Sequence, residues 1–112
     1  MSLLSLQTYQ EPDTVRVALS GELDLSSALI FDDELRRIEE ERQPRVLLLD
    51  LTALKFMDST GLRLILNAHM RAAKAGRRLR ILQGSETIKR IFRLTGVFER
   101  LDLVDDPAPA LY

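Results

Sequence analysis

Ser59 stands in the run Phe56-Met57-Asp58-Ser59-Thr60-Gly61-Leu62, where an apolar stretch gives way to helical spacing. A serine at such a junction has two uses. Its oxygen can accept a hydrogen bond from the orphan N–H groups of a first helical turn, as an N-cap. The same hydroxyl can also receive a phosphoryl group, bringing roughly −1.5 to −2 charges to a helix N-terminus that favours anions. Gly61 strengthens the second reading, because a first-turn residue without a side chain lets another backbone or a nucleotide phosphate approach closely. Asp58 is adjacent to Ser59, and neighbours rarely aim at the same atom. It is therefore read as positioning a partner or repelling a second anion, rather than as a base. Thr60 is an alternative acceptor, less accessible inside the turn. Arg63 lies one turn on, within reach of a phosphate or of an acidic group on a partner.

Catalysis by Ser59 itself is not supported. The nucleophile elbow of hydrolases needs glycine two residues before its serine, and Met57 stands there. The only histidine, His69, starts about 15 Å along the helix axis from Ser59, too far for a base. It reads as a partly buried structural residue. Without cysteine there is no thiol nucleophile, disulfide or cysteine-ligated metal. Gly84 and Gly96 are isolated and cradle no phosphate, so no metal site or cofactor is expected. Gly21-Glu22-Leu23-Asp24 has two compatible readings: a turn whose aspartate bonds the start of the next helix, or an acidic loop in a protein interface.

The elements around these residues follow from periodicity. Residues 3–9 suit a strand, and Glu11-Pro12-Asp13 suits a turn. Val15, Val17 and Leu19 alternate as a half-buried strand, ended by Gly21. From Ser26 or Ser27 the spacing becomes helical through Ala28, Phe31, Leu35 and Ile38. Asp32 to Glu34 and Glu39 to Glu41 take the solvent faces, and the helix stops before Pro44. The continuous run from Val46 to Leu51 predicts a central strand covered on both faces. A second helix is predicted from Ser59, with Leu62, Ile65, Leu66, Met70 and Ala73 inward and Gly76 closing it. Leu79 and Ile81 mark a strand. Ser85 caps a third helix with Ile88, Ile91 and Phe92 inward, closing at Gly96. Phe98, Leu101, Leu103 and Val104 suggest a last short element, and residues 105–112 a surface tail. This order predicts an α/β fold, with parallel middle strands joined by right-handed crossovers and an antiparallel N-terminal edge.

The 112 residues suit one domain, with a core over about 3–104. A net charge of −1 gives no global attraction to nucleic acid or to an anionic membrane. The basic segment Arg63, Arg71, Lys74, Arg77, Arg78 and Arg80 lacks the interleaved aromatics of a nucleic-acid reader and reads as a solvated face. No membrane-spanning run or signal peptide is evident. A soluble, cytoplasmic protein is expected.

Three blocks resemble the STAS-domain family, in particular its bacterial anti-sigma factor antagonists. They are Gly21-Glu22-Leu23-Asp24, Leu51 through Leu62, and Ile88-Lys89-Arg90-Ile91-Phe92 continuing through Thr95-Gly96-Val97-Phe98. The resemblance implies a mixed sheet with helices packed on one side. It further implies an antagonist that binds an anti-sigma factor serine kinase and so frees a sigma factor. Phosphorylation of the serine matching Ser59 would weaken that complex, and a serine phosphatase would reset it. The partner contact would involve Asp24, Asp58, Ser59, Thr60, Gly61 and Arg63. The alternative is an interaction module without phosphotransfer, regulating a transporter or another partner complex.

Overall fold

The computed structural model describes residues 3–97 and 99–105. Its elements in chain order are β1 (Ser5–Gln10), β2 (Thr14–Leu23), α1 (Ala28–Arg42), β3 (Val46–Met57), α2 (Ser59–Ala75), β4 (Arg78–Leu82), α3 (Glu86–Leu94) and β5 (Asp102–Val104). The five strands form one sheet in sequence order. β1 is antiparallel to β2, and every other neighbouring pair is parallel. The predicted mixed α/β architecture is therefore present, with β3 at its centre. Phe98 and residues 106–112, which held part of the predicted last element and most of the tail, lie outside the described residues.

A single apolar cluster explains the layering. Val15, Val17 and Leu19 of β2, Leu47, Leu49 and Leu51 of β3, and Leu79 and Ile81 of β4 meet side chains from all three helices. Those are Phe31, Leu35 and Ile38 of α1, Leu62, Ile65, Ala68 and Ala72 of α2, and Ile88 and Phe92 of α3. The period of two sends alternate strand residues to this face, so the helices pack on one side. On the opposite face Leu48 is flanked in register by Arg16 and Arg80. Arg16 donates to Asp50 at 3.1 Å and stacks 4.1 Å from the Tyr9 ring centroid. Helices therefore cover β3 on one face only. On the other, Leu48 and Asp50 are buried beside long arginine stems that can shield a neighbour while their heads stay wet.

Several boundaries differ from expectation. β2 does not end at Gly21 but runs on to Leu23. Gly21 takes φ +94°, a conformation open to glycine, and sits at a register irregularity. The strand thus bends there without stopping. β3 likewise extends beyond Leu51 to Met57. Its second half buries only Leu54 and Met57, every third residue, and so lacks the alternation that identifies a strand. On α2 the buried stripe is Gly61, Leu62, Ile65, Ala68 and Ala72. Met70 is 52% exposed and Ala73 is also exposed, contrary to their predicted inward placement. The small residues Ala68 and Ala72 carried the helix face instead. Glu39, expected on a solvent face, is buried and holds Arg71.

Two helix ends form as expected, the C-terminus of α2 and the N-terminus of α3, whereas α3 ends at Leu94 with Thr95 rather than Gly96 as its C-cap. Gly76 ends α2 at φ 69°. The Ser85 hydroxyl accepts from the Ile88 N–H at 3.3 Å and caps α3. We expect Ser85→Ala to cost about 1 kcal/mol. Urea unfolding checks this; an unchanged midpoint would show that the cap contributes nothing. Among the described residues no helix is long and apolar enough to cross a membrane.

Candidate functional site at the start of α2

The parallel arrangement sends the C-terminal ends of β2 and β3 to one edge of the sheet, where α1 and α2 begin. That edge gathers the Asp24 loop and the Asp58-Ser59-Thr60-Gly61 junction from segments more than thirty residues apart. Two bonds tie them. The Asp58 N–H donates to the Leu23 carbonyl at 3.2 Å, and the Leu25 N–H donates to Asp58 Oδ2 at 3.2 Å.

The cap of α2 is Asp58, not Ser59. Asp58 has extended backbone, and its Oδ1 accepts from the Thr60 and Gly61 N–H groups at 2.9 and 3.1 Å. A carboxylate suits this place better than a hydroxyl, because it accepts several bonds and opposes the positive end of the helix dipole. Ser59 becomes the first helical residue and is exposed. Its hydroxyl is thereby released from capping. Thr60 is half-buried and Arg63 is exposed.

Gly61 is buried, and the backbone that approaches it is the chain's own. A Cβ there would lie 2.8 Å from the Leu23 carbonyl oxygen, the Leu23 Cγ and the Met57 Cγ. The space predicted for an incoming partner is taken by β2 and β3. Gly61 thus positions the site by letting α2 start close against the sheet.

Asp24 organises its own loop. Its Oδ1 accepts from the Ser26 N–H and hydroxyl at 3.0 and 2.7 Å and from the Ser27 N–H at 3.2 Å. The Ser26 hydroxyl, aided by the backbone donors, holds the Asp24 carboxyl below its ordinary value. The loop contribution is therefore present above that ordinary value and fades as pH falls through the lowered one. Ser27 donates through its hydroxyl to the Glu22 carbonyl at 2.9 Å and does not cap α1. The turn reading of this loop is realised.

Four apolar side chains at this end escaped the sequence reading. Leu25 and Leu29 are each 76% exposed, Ile30 59% and Phe56 44%. A signal existed: Leu29 and Ile30 fall off the stripe of Phe31, Leu35 and Ile38 that faces the core. Leu25, Leu29 and Ile30 fall within one short stretch of chain at the start of α1, and contiguous exposed apolar residues mark a surface for another molecule. Two open grooves of about 610 and 650 Å³ do not include Ser59. The arrangement offers a face for docking.

Comparison with known proteins agrees with this architecture. Residues 5–110 match the family model described as STAS domain. The anti-sigma-B factor antagonist of Bacillus subtilis (strain 168) is 28% identical over 101 residues, covering 89% of this chain and 90% of the relative. The structure of an anti-sigma factor antagonist from Mycobacterium paratuberculosis superposes with a TM-score of 0.81 at 20% identity, covering 96% of this chain and 90% of that one. The Bacillus cell fate determinant SpoIIAA in its phosphorylated form gives 0.71 at 21% identity, covering 94% and 96%. With a match over nearly its whole length, the chain belongs to the STAS-domain family.

Proposed function

We propose that this protein is an anti-sigma factor antagonist, switched by phosphorylation of Ser59. In the unmodified state it binds an anti-sigma factor serine kinase through the Asp24 loop, Asp58, Ser59, Thr60 and Arg63, with Gly61 fixing their placement. Binding releases a sigma factor in the cytoplasm. The carrying observation is the exposed Ser59 hydroxyl at the first position of α2, freed because Asp58 supplies the cap. The likeness to antagonists, one of them solved in a phosphorylated form, supports the same reading.

The kinase supplies base and metal ions. The Ser59 oxygen attacks the γ-phosphorus of ATP, the bond to the β-phosphate oxygen breaks, and the hydroxyl proton passes to the kinase's base. The product places a dianion beside the Asp58 carboxylate within the contact, adding like-charge repulsion and desolvation cost. Coupling of about 1–3 kcal/mol alters affinity roughly 5–150-fold, whereas near-complete switching needs about 5.5 kcal/mol. A phosphate at the rim would not suffice. A serine phosphatase, by hydrolysing the ester, restores the binding form.

The test uses a kinase that copurifies with the wild-type chain. With Mg-ATP, intact mass should gain one phosphoryl group in wild type and none in Ser59→Ala. Ser59→Glu should bind that kinase at least fivefold more weakly by calorimetry, with an unchanged circular dichroism spectrum. Phosphorylation of Ser59→Ala at the wild-type level overturns the acceptor assignment. A captured partner that lacks an ATPase domain favours the transporter-type module instead.

A further inference from the structure

Asp58 has two carboxylate oxygens, and they serve different parts of the protein. Oδ1 closes the first turn of α2 through Thr60 and Gly61, while Oδ2 accepts from Leu25 across the gap to the β2–α1 loop. Leu25 of that loop is 76% exposed, and Leu29, equally exposed, follows in the first turn of α1. Both helices start at the same edge of the sheet, and the bond to Asp58 holds Leu25 next to the Ser59 junction, with Leu29 four residues on. An exposed leucine on an irregular loop gains a fixed position only if its backbone is held. Asp24 holds Ser26 and Ser27, and Asp58 holds Leu25.

We propose that Asp58 is a positioning residue, whose second carboxylate oxygen fixes Leu25 so that Leu25 and Leu29 form the apolar anchor of the docking face. The occupant is the anti-sigma factor itself, through an apolar socket placed beside its contact with Ser59. This assignment of occupant rests on the proposed function. The continuity of the apolar pair with the acceptor serine, through one shared carboxylate, selects that partner over a separate one. Buried, preorganised apolar residues dominate interface energetics. The same arrangement links switch and anchor: a phosphoryl group on Ser59 places its charge next to the carboxylate that orders Leu25.

Asp58→Asn separates the two oxygens with little change of shape. An asparagine oxygen still caps Thr60 and Gly61, but its NH₂ faces the Leu25 N–H, donor against donor. Asp58→Ser is the second variant, since one short hydroxyl caps the helix and cannot also reach Leu25. Water-exchange NMR on the full chain should show the Leu25 amide exchanging at least tenfold faster in both variants, with the amides of Thr60 and Gly61 still protected in at least one. Calorimetry with the copurifying kinase should give about a tenfold loss for Asp58→Asn and for Leu25→Ala. The double variant should lose little more than either single one, because both remove the same anchor. An unchanged Leu25 exchange rate in both variants overturns the positioning role, and wild-type affinity of Leu25→Ala overturns the anchor. If Leu25→Ala binds normally while Ser59→Glu binds weakly, the inference falls and the proposed function stands. If Ser59→Glu also binds normally, both fall.

Discussion

Glu39→Ala should unfold at a markedly lower temperature, by about 3 kcal/mol of stability, or roughly 13 °C in Tm for a domain of this size. Glu39 is buried on α1 and receives two parallel bonds from Arg71 of α2, Nε to Oε1 at 2.8 Å and Nη2 to Oε2 at 2.9 Å. The Glu39 bond raises the Arg71 pKa above its already high value, and even without that bond a guanidinium is too basic to become neutral. Its next carboxylate, Asp32, is 3.9 Å away, and its Nη1 is buried without a hydrogen-bond acceptor. Alanine at 39 therefore leaves a partly shielded guanidinium between two helices with only the more distant Asp32 to answer it. The pair itself need not be strongly stabilising, since removing both charges with well-packed apolar residues can be neutral. We accordingly expect Glu39→Leu combined with Arg71→Met to recover most of the loss. Thermal unfolding of the two single variants and the double one checks the argument; a wild-type Tm for Glu39→Ala would show that Arg71 finds water instead.

Gly61→Val should destabilise the protein by about 3 kcal/mol, the upper end of ordinary overpacking, and should weaken partner binding more than its distance from any exposed atom suggests. The clash involves three atoms at once, including the main-chain oxygen of Leu23, which is fixed by strand pairing to Met57. No single rotamer change relieves it. Relief comes by moving the start of α2 outward, which carries Ser59 and Asp58 with it and stretches the 3.2 Å bond to Leu25. Chemical denaturation together with calorimetry against the kinase separates the two effects. Gly61→Val with wild-type stability would mean that the helix start is free to shift.

The candidate site was partly legible in the chain. Ser59, Asp58 and Gly61 were found because a strand-to-helix junction has a chemical signature: an oxygen acceptor, free N–H groups and a residue without a side chain. Which residue caps and which is free was not legible. Ser59 and Asp58 both qualify by type, and the choice depends on where the backbone turns from extended to helical. The placement of Gly61 beneath Leu23 was hidden for a different reason, since contact between residues 23 and 61 has no trace in local spacing. The Glu39–Arg71 pair shows the same limit. Both residues look like solvated helix charges until α1 and α2 pack side by side.

The sequence alone determined the element order, the mixed sheet with parallel middle strands, the apolar stripes of α1 and α3, and the place of Ser59 at a strand-to-helix junction. These follow from short-range causes: side-chain periodicity, caps, and the backbone limits of glycine and proline. Tertiary structure decided how far β2 and β3 run, which side chain closes α2, and that Leu25 hangs on Asp58 beside Ser59. The first and last of these depend on the register between distant strands, the second on where the backbone turns from extended to helical. Register is set by the fit of the whole core, which a local window cannot contain.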